Sequence, residues 1–277
     1  MTRQAASRTV LVTGAGGGIG RAIADRLARA GFQVIGTVRS ADRARALTAQ
    51  AGASGQSCRF VPLDLASMAE VASLAGDLQS AGGLDILVHN AGFGILGAIE
   101  DVEARLVAEQ FAVNLFGPLE LTRRLLPALR ARRGQVIWIG SLAGRISLPF
   151  QAHYSATKAA VASISDALRM ELRPHGVRVT CVEPGDFATG FTAARTVVKT
   201  SASVYRAEQA RCLAAVEQQE RGAPGPEWVA DVVERLCRTG RPAARWPVGQ
   251  GARMTCALLR LLPDRVREFI VSKHYAQ

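Results

Sequence analysis

Tyr154 and Lys158 stand four residues apart in the segment HYSATK. Four residues is one helical turn, so a phenol and an ammonium are carried on the same side of a helix. The chain has only three tyrosines and three lysines in 277 residues, and a chance Tyr-x-x-x-Lys is expected only about 0.03 times. A phenol titrates near ~10, and a neighbouring positive charge favours its phenolate. The pair is therefore suited to giving and taking a proton near neutral pH.

A second constellation lies near the start of the chain. In VLVTGAGGGIGRAIADRLARAG, Val10, Leu11 and Val12 form a short β-branched run of the kind that makes a buried parallel strand. Gly14, Gly16, Gly17, Gly18 and Gly20 follow. Ile19, Ile23 and Leu27 then recur at helical spacing until Gly31 ends the helix. Strand, glycine turn and helix together make a diphosphate site. Glycine admits the tight turn and the close approach of the phosphates, and the helix N-terminus offers unpaired N–H groups and partial positive charge. The reading is a dinucleotide-binding unit.

About twenty residues further on, QVIGTVRS ends in Val38-Arg39. An NAD site usually carries an acid there for the ribose 2′-hydroxyl. Val38 cannot accept that bond, whereas the planar fork of Arg39 suits a 2′-phosphate, so NADP(H) is predicted.

These residues resemble the short-chain dehydrogenase/reductase family, over about residues 8–250. The matching pieces are TGAGGGIG at 13–20, LDL at 63–65, NAG at 90–92, Asn114 in FAVNLFG, Ser141 in WIGSLAG, Tyr154 with Lys158, and PGDFAT at 184–189. The resemblance implies a catalytic set of Asn114, Ser141, Tyr154 and Lys158. Tyr154 exchanges a proton with a carbonyl or alcohol oxygen that Ser141 orients. Lys158 holds the nicotinamide ribose and lowers the Tyr154 pKa. Asn114 bends its helix and holds a water that relays protons to the lysine. Cofactor contacts are implied for Gly14, Gly18, Ile19, Gly20, Arg39, Asp64, Leu65, Asn90, Ala91, Gly92, Tyr154, Lys158, Pro184, Gly185 and Thr189. Asp64 is matched to adenine, Asn90 to the sheet beside the cofactor, and Pro184, Gly185 and Thr189 to the carboxamide.

Four positions stand apart from the family pattern. Gly16 and Gly17 replace a serine that many NADP-binding relatives carry, leaving the 2′-phosphate to Arg39 with help from Ser40. His89 stands where a second asparagine is common and is read as a packed, hydrogen-bonded residue. His153 points to a different helix face from Tyr154 and is read as a substrate-pocket or surface residue.

Other chemistries fit poorly. Ser141 lacks the glycine two residues before it that a nucleophile elbow needs. The histidines His89, His153, His175 and His274 show no metal-ligand spacing, so no metal is expected. Cys58, Cys181, Cys212, Cys237 and Cys256 are odd in number and contain no Cys-x-x-Cys, which reads as reduced thiols in a reducing cytosol. No leader or spanning stretch is evident, and a cytoplasmic protein is expected. The net charge is +11, and the segment from Arg235 to Lys273 is basic. A C-terminal helix closing a pocket or an oligomer interface accounts for that segment better than nucleic acid or membrane binding does.

Apolar runs at VLVT, QVIGTV, RFVPL, DILVHN, QVIWIG, VRVTCVEP and ARWPVG alternate with helical stretches. The expected fold is α/β, a single-domain doubly wound Rossmann parallel sheet of about seven strands with helices on both faces. One domain spans 1–277, with a substrate lid at about 186–226 and a basic C-terminal extension at about 250–277. A lid helix near 202–220 is expected to present Val204, Tyr205, Leu213 and Val216 to an apolar substrate or to the core. Helices near 103–131 and 152–173 resemble those through which the family forms homodimers and homotetramers. The expected activity is an NADPH-dependent carbonyl reductase, or the reverse alcohol dehydrogenase, on an apolar ketone, aldehyde or secondary alcohol of steroid or retinoid type. Reduction of a 3-oxoacyl thioester and a non-enzymatic NADP-binding sensor are the alternatives.

Overall fold

All seven apolar runs become strands of one sheet, because each is short, rich in β-branched residues and bounded by turns. The computed structural model describes residues 7–191, 195–198 and 203–275. In chain order the elements are β1 (Thr9–Val12), α1 (Gly18–Arg29), β2 (Gln33–Val38), α2 (Ala41–Ala53), β3 (Cys58–Pro62), α3 (Met68–Ser80), β4 (Ile86–His89) and β5 (Ile95–Leu96). There follow α4 (Ala104–Phe111), α5 (Gly117–Ala131), β6 (Gln135–Ile139), α6 (Ala152–Leu172), β7 (Arg178–Pro184) and β8 (Thr196–Val197). The last five are α7 (Arg206–Arg221), α8 (Glu227–Arg238), β9 (Arg245–Val248), α9 (Ala252–Leu261) and α10 (Asp264–Tyr275).

The main sheet runs β3-β2-β1-β4-β6-β7-β9 with every pairing parallel. Strand order reverses between β1 and β4, which opens a crevice at their carboxyl ends. One face is covered by α1, α2 and α8, through residues such as Ile23, Leu27, Leu47 and Val233. The other is covered by α3, α5 and α6, through Leu74, Leu121, Leu125 and Val161. Helices on both faces bury the strands twice, and Val10, Leu11, Val12, Ile86, Leu87 and Val88 are fully inaccessible. No helix among the described residues is long and apolar enough to cross a membrane.

Two features differ from the sequence-based expectation. A separate two-stranded sheet pairs β5 with β8, above the main sheet. The lid helix is α7, which starts at Arg206, while Ala202 lies outside the described residues. Val204 is 80% exposed and Tyr205 is exposed too, so neither is presented inward. Val216 is buried with Cys212 and Leu96, and Leu213 packs on that cluster.

All five cysteines are buried thiols outside any disulfide. His89 is packed as expected, stacked on Trp138 with ring centroids 4.1 Å apart and hydrogen-bonded through Nε2 to Thr122 Oγ1 at 2.7 Å. Burial pushes its pKa down to about 3. The folded protein keeps His89 neutral where the unfolded chain, titrating near 6.5, already binds a proton. Stability is therefore full above pH 6.5 and is lost as pH falls from there toward 3, by up to about 1.4 kcal/mol per pH unit. In acid titrations followed by circular dichroism, His89→Asn is expected to show a shallower loss across that window than the parent protein.

Candidate active site

The glycine turn joins β1 to α1. Gly14 and Gly18 have φ of +65° and +50°, a region other residues avoid. At Gly20 an added Cβ would lie 2.2 Å from the Gly14 carbonyl oxygen and 2.3 Å from Asn90 Nδ2. The turn, the helix and the end of β4 therefore meet backbone to backbone. Asn90 locks the junction, its Nδ2 donating to Thr13 O at 3.0 Å and Gly14 O at 3.2 Å. Thr13 Oγ1 accepts from the Asn90 and Ala91 amides. α1 begins at Gly17 without a side-chain cap, so its first N–H groups remain available to an anion.

A cavity of about 1100 Å³ runs over the carboxyl ends of the strands. Gly14, Gly18, Ile19, Gly20, Arg39, Asp64, Leu65, Asn90, Ala91, Gly92, Ser141, Tyr154, Lys158, Pro184, Gly185 and Thr189 all line it. Asn114 does not. At one end Arg39 is joined by Arg43, one turn into α2, whose Nη2 approaches Gly16 O at 3.5 Å. Ser40 faces the cavity, but its hydroxyl is used as the cap of α2, accepting from the Arg43 amide. Asp64 Oδ1 accepts from the Ala66 amide at 2.9 Å, which fixes its carboxylate. Gly18 and Thr189 approach closely, bringing the glycine turn against the segment after β7.

At the other end, α6 carries Tyr154 and Lys158, and Ser141 follows β6. Tyr154 and Ser141 line the same stretch of the cavity, and Ser141 Oγ accepts from the Ala143 amide at 3.1 Å. Burial raises the Tyr154 pKa, while the neighbouring Ser141 hydroxyl and the positive charge of Arg195 pull it down. Lys158 donates instead to Ile139 O at 2.9 Å, with Nζ 5.8 Å from the centre of the Tyr154 ring. Its own pKa is lowered to about 8 by burial. The Lys158 ammonium is turned to a backbone carbonyl, and Arg195 supplies the positive charge that acts on Tyr154.

Asn114 sits in a π-helical turn (Ala112–Phe116) between α4 and α5. Its amide is fully engaged. Oδ1 accepts from Phe93 N at 3.0 Å, and Nδ2 reaches Phe93 O at 3.0 Å and Thr157 Oγ1 at 3.2 Å. It supports the cavity wall from behind. His153 lies off the cavity, so the substrate-pocket half of its reading does not apply.

A buried charge network braces the Ser141 loop. Glu183 on β7, 1% exposed, pairs with Arg145 at 2.7 Å and Arg245 at 3.3 Å, and Arg245 also holds Asp166 at 2.6 Å. The roof over Tyr154 comes from Phe191, Arg195, Val216 and Glu220 with Tyr275 of α10. The Tyr275 hydroxyl donates to Gln219 Oε1 on α7 at 3.1 Å. Arg43, Phe191, Arg195 and Tyr275 were not singled out from the sequence as site residues. Only Arg43 had a local cue, its place one helical turn after Arg39.

The short chain dehydrogenase family profile matches residues 8–199. The chain is 31% identical to a 3-ketodihydrosphingosine reductase of Bacteroides thetaiotaomicron, over 96% of this chain and 97% of that protein. It is 31% identical to an NADPH-dependent 3-dehydrocapnine reductase of Ornithobacterium rhinotracheale, over 96% of each. Among solved structures, a short-chain dehydrogenase from Streptomyces avermitilis superposes with a TM-score of 0.80 at 33% identity, over 96% of each chain.

Proposed function

The chain belongs to the short-chain dehydrogenase/reductase family and is an oxidoreductase of that type, and from that premise we propose that it is an NADPH-dependent carbonyl reductase. Its substrate is an apolar ketone or aldehyde, with the secondary alcohol as the reverse substrate. The observation that carries the reading is the convergence of Ser141, Tyr154 and Lys158 on one cavity, set where the glycine-turn trough meets the partly apolar roof.

The cavity fits a dinucleotide. The crowded glycines leave backbone where phosphates would lie, α1 presents an uncapped N-terminus, and two arginines stand beyond β2. Arg39 and Arg43 take the 2′-phosphate of NADP(H), in keeping with the NADPH-dependent relative. Asp64 and Leu65 flank the adenine, Asn90, Ala91 and Gly92 line the middle, and Pro184, Gly185 and Thr189 hold the nicotinamide end. When bound, the nicotinamide would supply the hydride that the carbonyl carbon accepts. Ser141 donates to the carbonyl oxygen, and Tyr154 delivers its proton there. A phenol with a raised pKa enters the reaction protonated, as reduction requires. Lys158 anchors the ribose from the floor of the cavity, and Asn114 keeps Phe93 and Thr157 in place. Residues 186–226 form the substrate lid. The two named relatives carry a 3-keto or 3-dehydro group in their substrates, so long-chain ketones and 3-oxoacyl thioesters belong in the first screen.

The test is NADPH oxidation by the purified protein over aldehydes, long-chain ketones, steroids and oxoacyl thioesters, beside NADH. Turnover with an apolar carbonyl and NADPH supports the reading. NADPH binding without turnover on any of them would sink it and favour the sensor alternative. Arg39→Ala is expected to weaken NADPH binding about tenfold or more, and the double variant with Arg43→Ala further, while NADH binding changes little. Titration of cofactor fluorescence measures both, and an equal loss for the two cofactors would refute the assignment.

A further inference from the structure

Arg195 has no part in the chemistry above, yet it is only 9% exposed and lines the cavity beside Tyr154. Its guanidinium lies over Phe191, 5.7 Å from the ring centre, and the same ring tilts against Tyr154 at 5.7 Å. Guanidinium, benzene ring and phenol thus form one column. Nε and Nη1 of Arg195 are buried with no hydrogen-bond partner. No ion pair among the described residues includes it; burial lowers its pKa, while the charges of Glu220 and Asp186, which line the same cavity, favour its protonated form. A guanidinium has five N–H donors and keeps its charge, so burying it with donors unused is costly. Space is also reserved for it. A Cβ at Gly94 would lie 3.2 Å from Arg195 Nε and 3.3 Å from the Phe191 ring.

Resting on the reading of Tyr154 as the reacting end, we propose that Arg195 binds an anionic oxygen group of the substrate, a carboxylate, sulfonate or phosphate, carried near the carbonyl to be reduced. The planar fork matches two oxygens of such a group. Val216 and the roof beyond it receive the apolar remainder. The substrate is then an amphiphile, an oxo compound with an acidic head and an apolar chain, rather than a neutral ketone.

Binding tests this without turnover. With the protein saturated in NADP⁺, decanoate is expected to bind about tenfold or more tightly than decanol by calorimetry. Arg195→Met should abolish that preference, and Arg195→Lys should retain part of it. Gly94→Ala, which crowds the guanidinium, should weaken decanoate more than decanol. In turnover, the ratio of kcat/KM for 4-oxodecanoate over its methyl ester is expected to exceed about ten in the parent protein and to approach one in Arg195→Met. Equal binding of decanoate and decanol by the parent protein, or a preference that survives Arg195→Met, would overturn the proposal. Selective decanoate binding with no carbonyl reduced would uphold the anion site and refute the reductase reading, so the two failures are distinguishable.

Discussion

Replacing Tyr154 by phenylalanine is expected to lower kcat for carbonyl reduction by about 10³-fold, the middle of the range for loss of a positioned proton donor. The ring contact with Phe191 survives the change, so melting temperature and NADPH affinity should stay close to those of the parent. Ser141 remains to orient the carbonyl oxygen but has no neighbouring base of its own, and His153 lies off the cavity. Of the two cations near Tyr154, Arg195 keeps its charge and Lys158 has its ammonium held by Ile139 O. Single-turnover NADPH oxidation with saturating substrate reads the chemical step directly. A residual rate within tenfold of the parent would mean that the proton comes from water or another group.

The largest stability effect is expected at Glu183. This carboxylate is buried against two arginines, and Glu183→Ala leaves Arg145 without its ion-pair partner in a half-dry site. Breaking a buried pair from one side costs about 3–5 kcal/mol, which for a chain of this size lowers Tm by roughly five to nine degrees. Arg245 keeps Asp166 and suffers less. Removing both charges in Glu183→Met with Arg145→Met should recover much of the loss, since the remaining cost is then packing rather than an orphaned charge. Thermal unfolding of the single and double variants measures this. A single variant within about 1 kcal/mol of the parent would show that water already screens the network.

The sheet was legible because strands buried on both faces must be apolar throughout, and VLVT, DILVHN and QVIWIG have no other economical reading. The glycine turn was legible for a complementary reason, since no other residue tolerates the contacts found at Gly20. The β5–β8 pair was not legible. Its strands are two residues each, too short to show a period of two, and they are distant in the chain. Arg195 was hidden among thirty-one arginines. Nothing in its neighbours predicts that Phe191 and Gly94 will wrap it. The position of Lys158 could be read, but not where its ammonium points, because that is decided by a carbonyl nineteen residues earlier.

The five buried cysteines give the molecule an internal record of its own opening. A thiol inside packed apolar surroundings is neither reachable nor ionised, and burial pushes Cys58 and Cys212 up to about 11 and Cys181 and Cys237 up to about 12. Alkylation therefore proceeds only while the covering element is lifted. Cys212 sits on α7 beneath the roof, Cys256 on α9, Cys237 on α8, Cys181 on β7, one strand in from the edge strand β9, and Cys58 on the opposite edge strand β3. One labelling time course, resolved by peptide mass, thus separates the breathing that admits a substrate from the rarer event in which the whole sheet comes apart.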